Sequence, residues 1–318
     1  MAVYTDVSFE ELESFLKDYR IGAPLSFKGI AEGVENSNFH LRTSQGAYIL
    51  TLYEKRVQKE DLPFFLGLLE HLARRGIACP QPVRNVRNGQ WSMLNGRPAA
   101  LLTFLEGVSL RRPDVEHCAS AGAVLASLHS AGADFDVKRQ NALGPASWPD
   151  LAESVTAKAD DVERGLKALI ADALARILPQ WPDALPRGVI HADLFPDNVL
   201  FVDGRLSGLI DFYFACDDFL AYDIAVMLNA WCFESDGFNI TKGAALLSRY
   251  QRGRALSPEE LRALPMLCAG AAFRFLLTRL FDLLHHDPMA LVRPKDPKEF
   301  SKRLRFHLKV KSASEYGL

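Results

Sequence analysis

The chain has 318 residues, 48% of them apolar and 24% charged, which is more than one core comfortably fills, so two domains are expected. Its 37 basic and 39 acidic side chains leave a formal charge of −2, which excludes a general polyanion binder and argues against a nucleic-acid partner. No apolar run approaches the roughly 18 to 20 residues of a membrane-spanning helix, and the acidic N-terminus lacks a signal-peptide pattern, so a cytoplasmic protein with no membrane partner is expected. Five scattered cysteines without a CxxC pair read as inert core thiols.

In chain order, residues 8–19 begin with a Ser cap and a Glu three positions on, then show helical apolar spacing, which predicts a capped amphipathic helix. Three short alternating segments over 25–55, with a turn at Ser44-Gln45-Gly46, predict an antiparallel meander. Helical spacing returns over 59–75 and stops at Gly76; two more strands, near 90–94 and 97–105, are joined by the turn Asn95-Gly96. From Pro113 onward the pattern is mostly helical, with a charged stretch over 150–178 and helices over 221–233 and 257–284, interrupted by short strands within 188–212. The expected fold class is α+β, with a small sheet-rich lobe over 1–105 and a larger helical lobe over 106–318.

The run His191-Ala192-Asp193-Leu194-Phe195-Pro196-Asp197-Asn198 gives HxDxxxxN, and Asp211 follows at the end of the next strand pair. Each residue alone reads equally as an Asx-type turn. The ordered set, with strands between, points to phosphoryl transfer, in which a carboxylate takes the proton of an acceptor hydroxyl and oxygen ligands hold the magnesium that accompanies a triphosphate.

With these motifs the chain resembles the aminoglycoside phosphotransferase and choline kinase group, which shares the protein-kinase-like two-lobe fold, and within it the homoserine kinases. GVENSNFHL, TLYE, HADLFPDN and AAFRFLLTRLFD carry the resemblance, which spans nearly the whole chain. It implies Asp193 as catalytic base, Asn198 and Asp211 as magnesium ligands, and His191 and Asp223 as supports of the catalytic loop. It implies ATP as phosphoryl donor, Mg2+ as cofactor and a small amino acid as acceptor.

The turn from Gly29 to Gly33, with Asn36 just beyond, can bring backbone amides close to phosphate, although a plain hairpin explains it equally. On the third strand Ile49 and Thr51 share a face, and Thr51 stands where kinases of this fold commonly place a lysine. Lys55 is too far along to replace it, and Glu60, the candidate helix partner of that lysine, reads equally as a solvated residue. The segment Thr103, Phe104 and Leu105 runs into the helical lobe and can offer backbone groups to adenine.

Asp217 and Asp218 read as ordinary caps of the helix that carries Asp223. On that helix Asn229 and Trp231 are candidates to face the acceptor, with a core role for Trp231 as the plain alternative. On the apolar helix over 269–284, Arg279 and Asp282 can pair with each other, whereas Arg274 needs a distant carboxylate or an anionic ligand such as a substrate carboxylate. The expected function is therefore ATP-dependent phosphorylation of the L-homoserine hydroxyl in threonine biosynthesis. A choline-like or aminoglycoside kinase and a non-catalytic nucleotide-binding regulator are the alternatives. Oligomeric state is not legible.

Overall fold

The computed structural model describes residues 5–30, 36–54, 57–286 and 293–318. Gly33 and Lys55 of the expectations above lie outside them. Two compact units emerge. The first holds the chain up to Glu106 together with Gly208–Tyr213, and the second holds Gly107–Ser207, Phe214 onward and the C-terminal segment from Arg293. The return of 208–213 to the first unit is absent from the expected division at 105/106.

In the first unit Ser8 caps helix α1 (Phe9–Leu16) through a capping box with Glu11, satisfying backbone donors that the first helical turn leaves open. Strands β1 (Pro24–Gly29), β2 (Asn36–Thr43), β3 (Gly46–Tyr53), β4 (Ser92–Leu94) and β5 (Arg97–Thr103) form one antiparallel sheet in the order β1-β2-β3-β5-β4. Its register pairs Phe39 with Leu50 and Asn38 with Thr51. Alternation then sorts the faces: Phe39, Leu41, Leu50, Leu52 and Leu101 pack on Leu12, Phe15 and Leu16 of α1, leaving Asn38, Ile49, Thr51 and Tyr53 on the opposite face. Helix α2 (Leu62–Arg74) follows β3. The segment 208–213 is tied in by the Leu209 N–H, which donates to the Ala78 carbonyl at 2.8 Å.

In the second unit, helix α3 (Val115–Ala131) is followed by α4 (Trp148–Thr156), α5 (Ala159–Val162) and α6 (Leu166–Ile177), so the charged stretch within the expected helical region holds three separate helices. Strand β6 (Arg187–Ile190) precedes the HxDxxxxN loop; β7 (Val199–Val202) and β8 (Arg205–Leu209) form a ribbon after it, and β9 (Cys216–Phe219) pairs back onto β6. Helices α7 (Leu220–Trp231), α8 (Ile240–Gly253), α9 (Pro258–Leu284) and α10 (Lys298–His307) complete the unit. At Gly122, α3 comes so close to α8 that a Cβ would lie 2.2 Å from the Leu246 carbonyl oxygen. Glycine is therefore required for the helices to approach each other there.

The expectation that no apolar run reaches membrane length is corrected by α9. This 27-residue helix is long and apolar enough to cross a membrane, yet 83% of its most apolar stretch is buried inside the protein. Its buried arginines, Arg274 and Arg279, pair with Asp193 and Glu299, whereas Arg262 pairs with Glu259 at the surface. All five cysteines are buried and free.

Candidate active site

Strand β6 delivers the loop that begins at His191, and the loop is fixed from within helix α7. Asp223, in the first turn of α7 and fully buried, accepts the His191 N–H at 2.7 Å and the Ala192 N–H at 2.9 Å. His129 on α3 adds a third contact, its Nε2 lying 3.2 Å from Asp223 Oδ2. Burial alone would raise the Asp223 carboxyl, but the hydrogen bond and charge of His129 and the His191 contacts outweigh it and hold the group below the usual carboxylate range.

The chain of contacts continues outward. His129 Nδ1 lies 2.7 Å from the Tyr250 hydroxyl of α8, Arg254 Nη1 donates to that hydroxyl at 3.1 Å, and Arg254 Nη2 donates to Glu260 Oε1 at 2.8 Å. Glu260 is also the reciprocal partner of Ser257 in the capping box that starts α9. Four helices thus converge on the support of one loop. None of His129, Tyr250, Arg254 or Glu260 figures among the sequence-derived site residues. Only the Ser257–Glu260 spacing was readable as a capping box; the rest of the chain joins residues far apart in sequence.

Ala192 has φ of +61°, a left-handed conformation that costs an L-residue roughly 1 to 2 kcal/mol. It is gripped from both sides, its N–H by Asp223 and its carbonyl by Arg274 Nη1 at 3.1 Å. This forced turn presents Asp193. Asn198 closes the loop by donating from Nδ2 to the Asp193 carbonyl at 2.7 Å and to Asp193 Oδ2 at 3.3 Å. The His191 Nδ1 lies 3.3 Å from the Asp193 N–H, placing His191 in a supporting position. Burial raises the Asp193 carboxyl above its ordinary value, opposed by the charges of Arg274, His191 and Lys295 and by the Asn198 bond.

Arg274 finds the distant carboxylate its sequence context required, and that carboxylate is Asp193, 3.7 Å away. Its guanidinium also lies over the rings of Phe275 and Phe214, 4.0 and 5.1 Å from their centroids, and the residue is 3% exposed. Trp231 is corrected from a substrate-facing residue to a core one: it is 1% exposed and donates its indole N–H to the Leu194 carbonyl at 2.8 Å, so it braces the HxDxxxxN loop from behind. Asn229 is likewise buried, donating to the Ala225 and Cys268 carbonyls.

Arg279 pairs with Glu299 of α10 at 2.8 Å and donates to the Asp296 carbonyl, replacing the expected Asp282 partner. Asp217 and Asp218 lie on β9 and are not caps of α7, whose N-cap is Phe219. Asp217 pairs with Lys138 at 2.7 Å, and Asp218 pairs with Arg187 at 3.3 Å and accepts from Asn141.

The remaining expected positions belong to the first unit. Asp211 sits just after β8 with φ of +62°, a conformation that Asp tolerates better than most residues. Thr51 is 1% exposed and donates to Asn38 Oδ1 at 2.8 Å. Next to it, Tyr213 lies 3.3 Å from the Tyr53 hydroxyl and packs edge-on against Phe65 of α2; burial pushes its phenol up to about 12. Glu60 falls in the exposed turn before α2, as its solvated reading requires. Where a lysine and glutamate would form an ion pair, this chain packs neutral hydroxyls, an amide and aromatic rings.

Gly29 ends β1 opposite Phe39, and Asn36 is 2% exposed with its Oδ1 accepting from the Glu54 N–H at 3.4 Å. The Thr103 N–H donates to Gln81 O at 2.9 Å and the Phe104 N–H to Ala47 O at 3.3 Å. Both donors are therefore engaged within the protein. Ile49 is half-buried on the Thr51 face.

A sequence profile of the phosphotransferase enzyme family matches residues 26–264, more than half of the chain. Over 319 aligned residues the chain is 61% identical to a homoserine kinase of Xanthobacter autotrophicus, covering 100% of this chain and 99% of that one. It is 59% identical to a homoserine kinase of Chelativorans sp. with the same coverage. Among solved structures, a spectinomycin phosphotransferase in complex with ADP and spectinomycin superposes with a TM-score of 0.70 at 13% identity, covering 98% of both chains. An amicoumacin kinase in complex with AMP-PNP and Ca2+ gives 0.69 at 15% identity, covering 96% of this chain and 93% of that one. At such identities these structures speak to the fold, which is protein-kinase-like. The profile match and the full-length identity establish that the chain belongs to the phosphotransferase enzyme family.

Proposed function

We propose that this protein transfers the γ-phosphoryl group of ATP to the side-chain hydroxyl of L-homoserine, giving O-phospho-L-homoserine and ADP, the step that leads toward threonine. The observation that carries the reading is the constrained loop: a partly exposed Asp193 carboxylate is held by a strained alanine, a buried arginine and Asn198, in a chain about 60% identical to homoserine kinases over its full length. As the acceptor oxygen bonds to phosphorus and the bond to ADP breaks, the hydroxyl proton passes to Asp193. A carboxyl raised above its ordinary value is a better base.

Asn198 and Asp211 are the proposed oxygen ligands of magnesium. Asn198 suits this because its Nδ2 is committed to Asp193, leaving the amide oxygen as its donor atom, and hard divalent cations take oxygen ligands. Bound magnesium would neutralise charge on the triphosphate. Gly29, Gly33, Asn36, Ile49, Thr51 and the 103–105 segment are proposed for the nucleotide.

A coupled assay of ADP release over a panel of hydroxylated amino acids, choline and an aminoglycoside tests the reading. The expected result is turnover with homoserine that disappears in Asp193→Ala. Turnover with choline or an aminoglycoside and none with homoserine would overturn it.

A further inference from the structure

Binding a free amino acid takes a cation for its carboxylate and an acceptor for its ammonium. Arg274 does not meet the first need, since it is 3% exposed and its Nη1 is engaged by the Ala192 carbonyl and by Asp193. Another pair of charges lies where this loop meets the segment before α10. Lys295 Nζ, from the segment before α10, lies 2.9 Å from Asp197 Oδ2 and 5.6 Å from the centre of the Phe195 ring. The two side chains are 61% and 63% exposed. Asp197 is four residues beyond Asp193, in the loop that Asn198 folds back onto Asp193, and the positive charge of Lys295 reaches the Asp193 carboxyl.

An exposed ion pair of this kind contributes only about 0 to 1 kcal/mol, so little is lost when it opens. A zwitterion presents the complementary pair of charges and replaces the single contact with two charge-assisted hydrogen bonds. We propose that Lys295 and Asp197 form the recognition site for the zwitterionic end of the acceptor, with Lys295 Nζ taking the α-carboxylate and the Asp197 carboxylate taking the α-ammonium. This inference rests on the reading of homoserine as acceptor. It assigns a role to the C-terminal segment, whose residues 293–311 hold eight Lys or Arg against two acidic residues.

Two truncated acceptors separate the contacts: 4-hydroxybutyrate lacks the ammonium and 3-aminopropan-1-ol lacks the carboxylate. Each is measured as a competitor of homoserine in the wild type, Lys295→Ala and Asp197→Ala, with the KM for ATP as control. In Lys295→Ala, kcat/KM for homoserine and the affinity for 4-hydroxybutyrate should both fall by roughly tenfold or more, the effect of losing one hydrogen bond to a charged group. The affinity for 3-aminopropan-1-ol should change far less. In Asp197→Ala the pattern should reverse, and Lys295→Arg should recover most of the loss. Equal losses for all three compounds, or no loss for any, would overturn the proposal. A wild type that does not phosphorylate homoserine would instead remove the functional reading on which it stands.

Discussion

Two buried histidines in the second unit sit in nearly the same arrangement. His129 is placed between the Tyr250 hydroxyl on Nδ1 and Asp223 on Nε2; His307 of α10 is placed between the Tyr316 hydroxyl at 2.8 Å on Nδ1 and Asn229 Oδ1 at 3.1 Å on Nε2. Both acceptors project from α7, six residues apart. The difference lies in the acceptor: a carboxylate under the HxDxxxxN loop and an amide where α10 joins the bundle. A carboxylate has lone pairs enough for His129 and for two loop N–H groups at once, whereas an amide oxygen serves His307 and its nitrogen closes gaps to α7 and α9. Charge is used where a strained loop must be gripped, and a neutral group suffices where helices are only joined.

The largest effect is expected from Asp223→Ala, which breaks the first arrangement and leaves the His191 and Ala192 N–H groups and His129 without their shared acceptor. At roughly 1 to 3 kcal/mol for each buried group left unsatisfied, urea unfolding should show a loss of about 3 kcal/mol or more. A relaxed loop should also lower kcat by on the order of 100-fold, the scale of a misplaced reacting group. An unchanged kcat would show that the grip on Ala192 does not set the position of Asp193.

Arg274→Met tests the same loop from the other side of Ala192, with an expected loss of roughly 2 kcal/mol from the carbonyl and carboxylate left behind. Its sharper signature is in the pH profile. Arg274 favours the ionised form of Asp193, so its removal should move the acid limb of kcat/KM to higher pH, the limb still rising as pH rises. Arg274→Lys should restore part of that shift.

How much of this was legible in the sequence follows from how local each device is. HxDxxxxN lies within eight residues, and the face on which Thr51 falls follows from strand alternation, so Asp193, Asn198 and the Thr51 departure could be read directly. Asp223 was placed by resemblance. The residues that make Asp223 effective were not legible, because His129, Tyr250 and Arg254 meet only when α3 and α8 come together at Gly122. For the same reason Arg274 read as unpaired: its partner is 81 positions away, and guanidinium geometry carries no trace in a one-dimensional pattern. The charged stretch over 150–178, read only as part of a mostly helical region, holds three helices; the second break falls where Gly165 starts α6 in a left-handed conformation at φ +83°, a turn that composition alone does not separate from a tolerated mid-helix glycine.

The last expected effect separates the two arrangements along the pH axis. His307 is buried, with Arg303 close by, and its imidazole is pushed down to about 3. The native state therefore keeps it neutral between about pH 3 and 6.5, a range in which the unfolded chain takes up a proton. Stability is full above pH 6.5 and falls as pH drops through that value, reaching a loss of roughly 2 kcal/mol at pH 5 from this group alone. Asp223 works in a different window: its depressed carboxyl contributes stability above about 3.8 that is lost only as pH falls further. Urea midpoints measured from pH 7.5 down to pH 5 should therefore decline in the wild type. The decline should be much shallower in His307→Gln, whose amide can still bridge Tyr316 and Asn229 but cannot titrate. Parallel curves for the two proteins would assign the acid sensitivity elsewhere, and the neutral arrangement at Asn229 would then lose its claim to be the pH-dependent one.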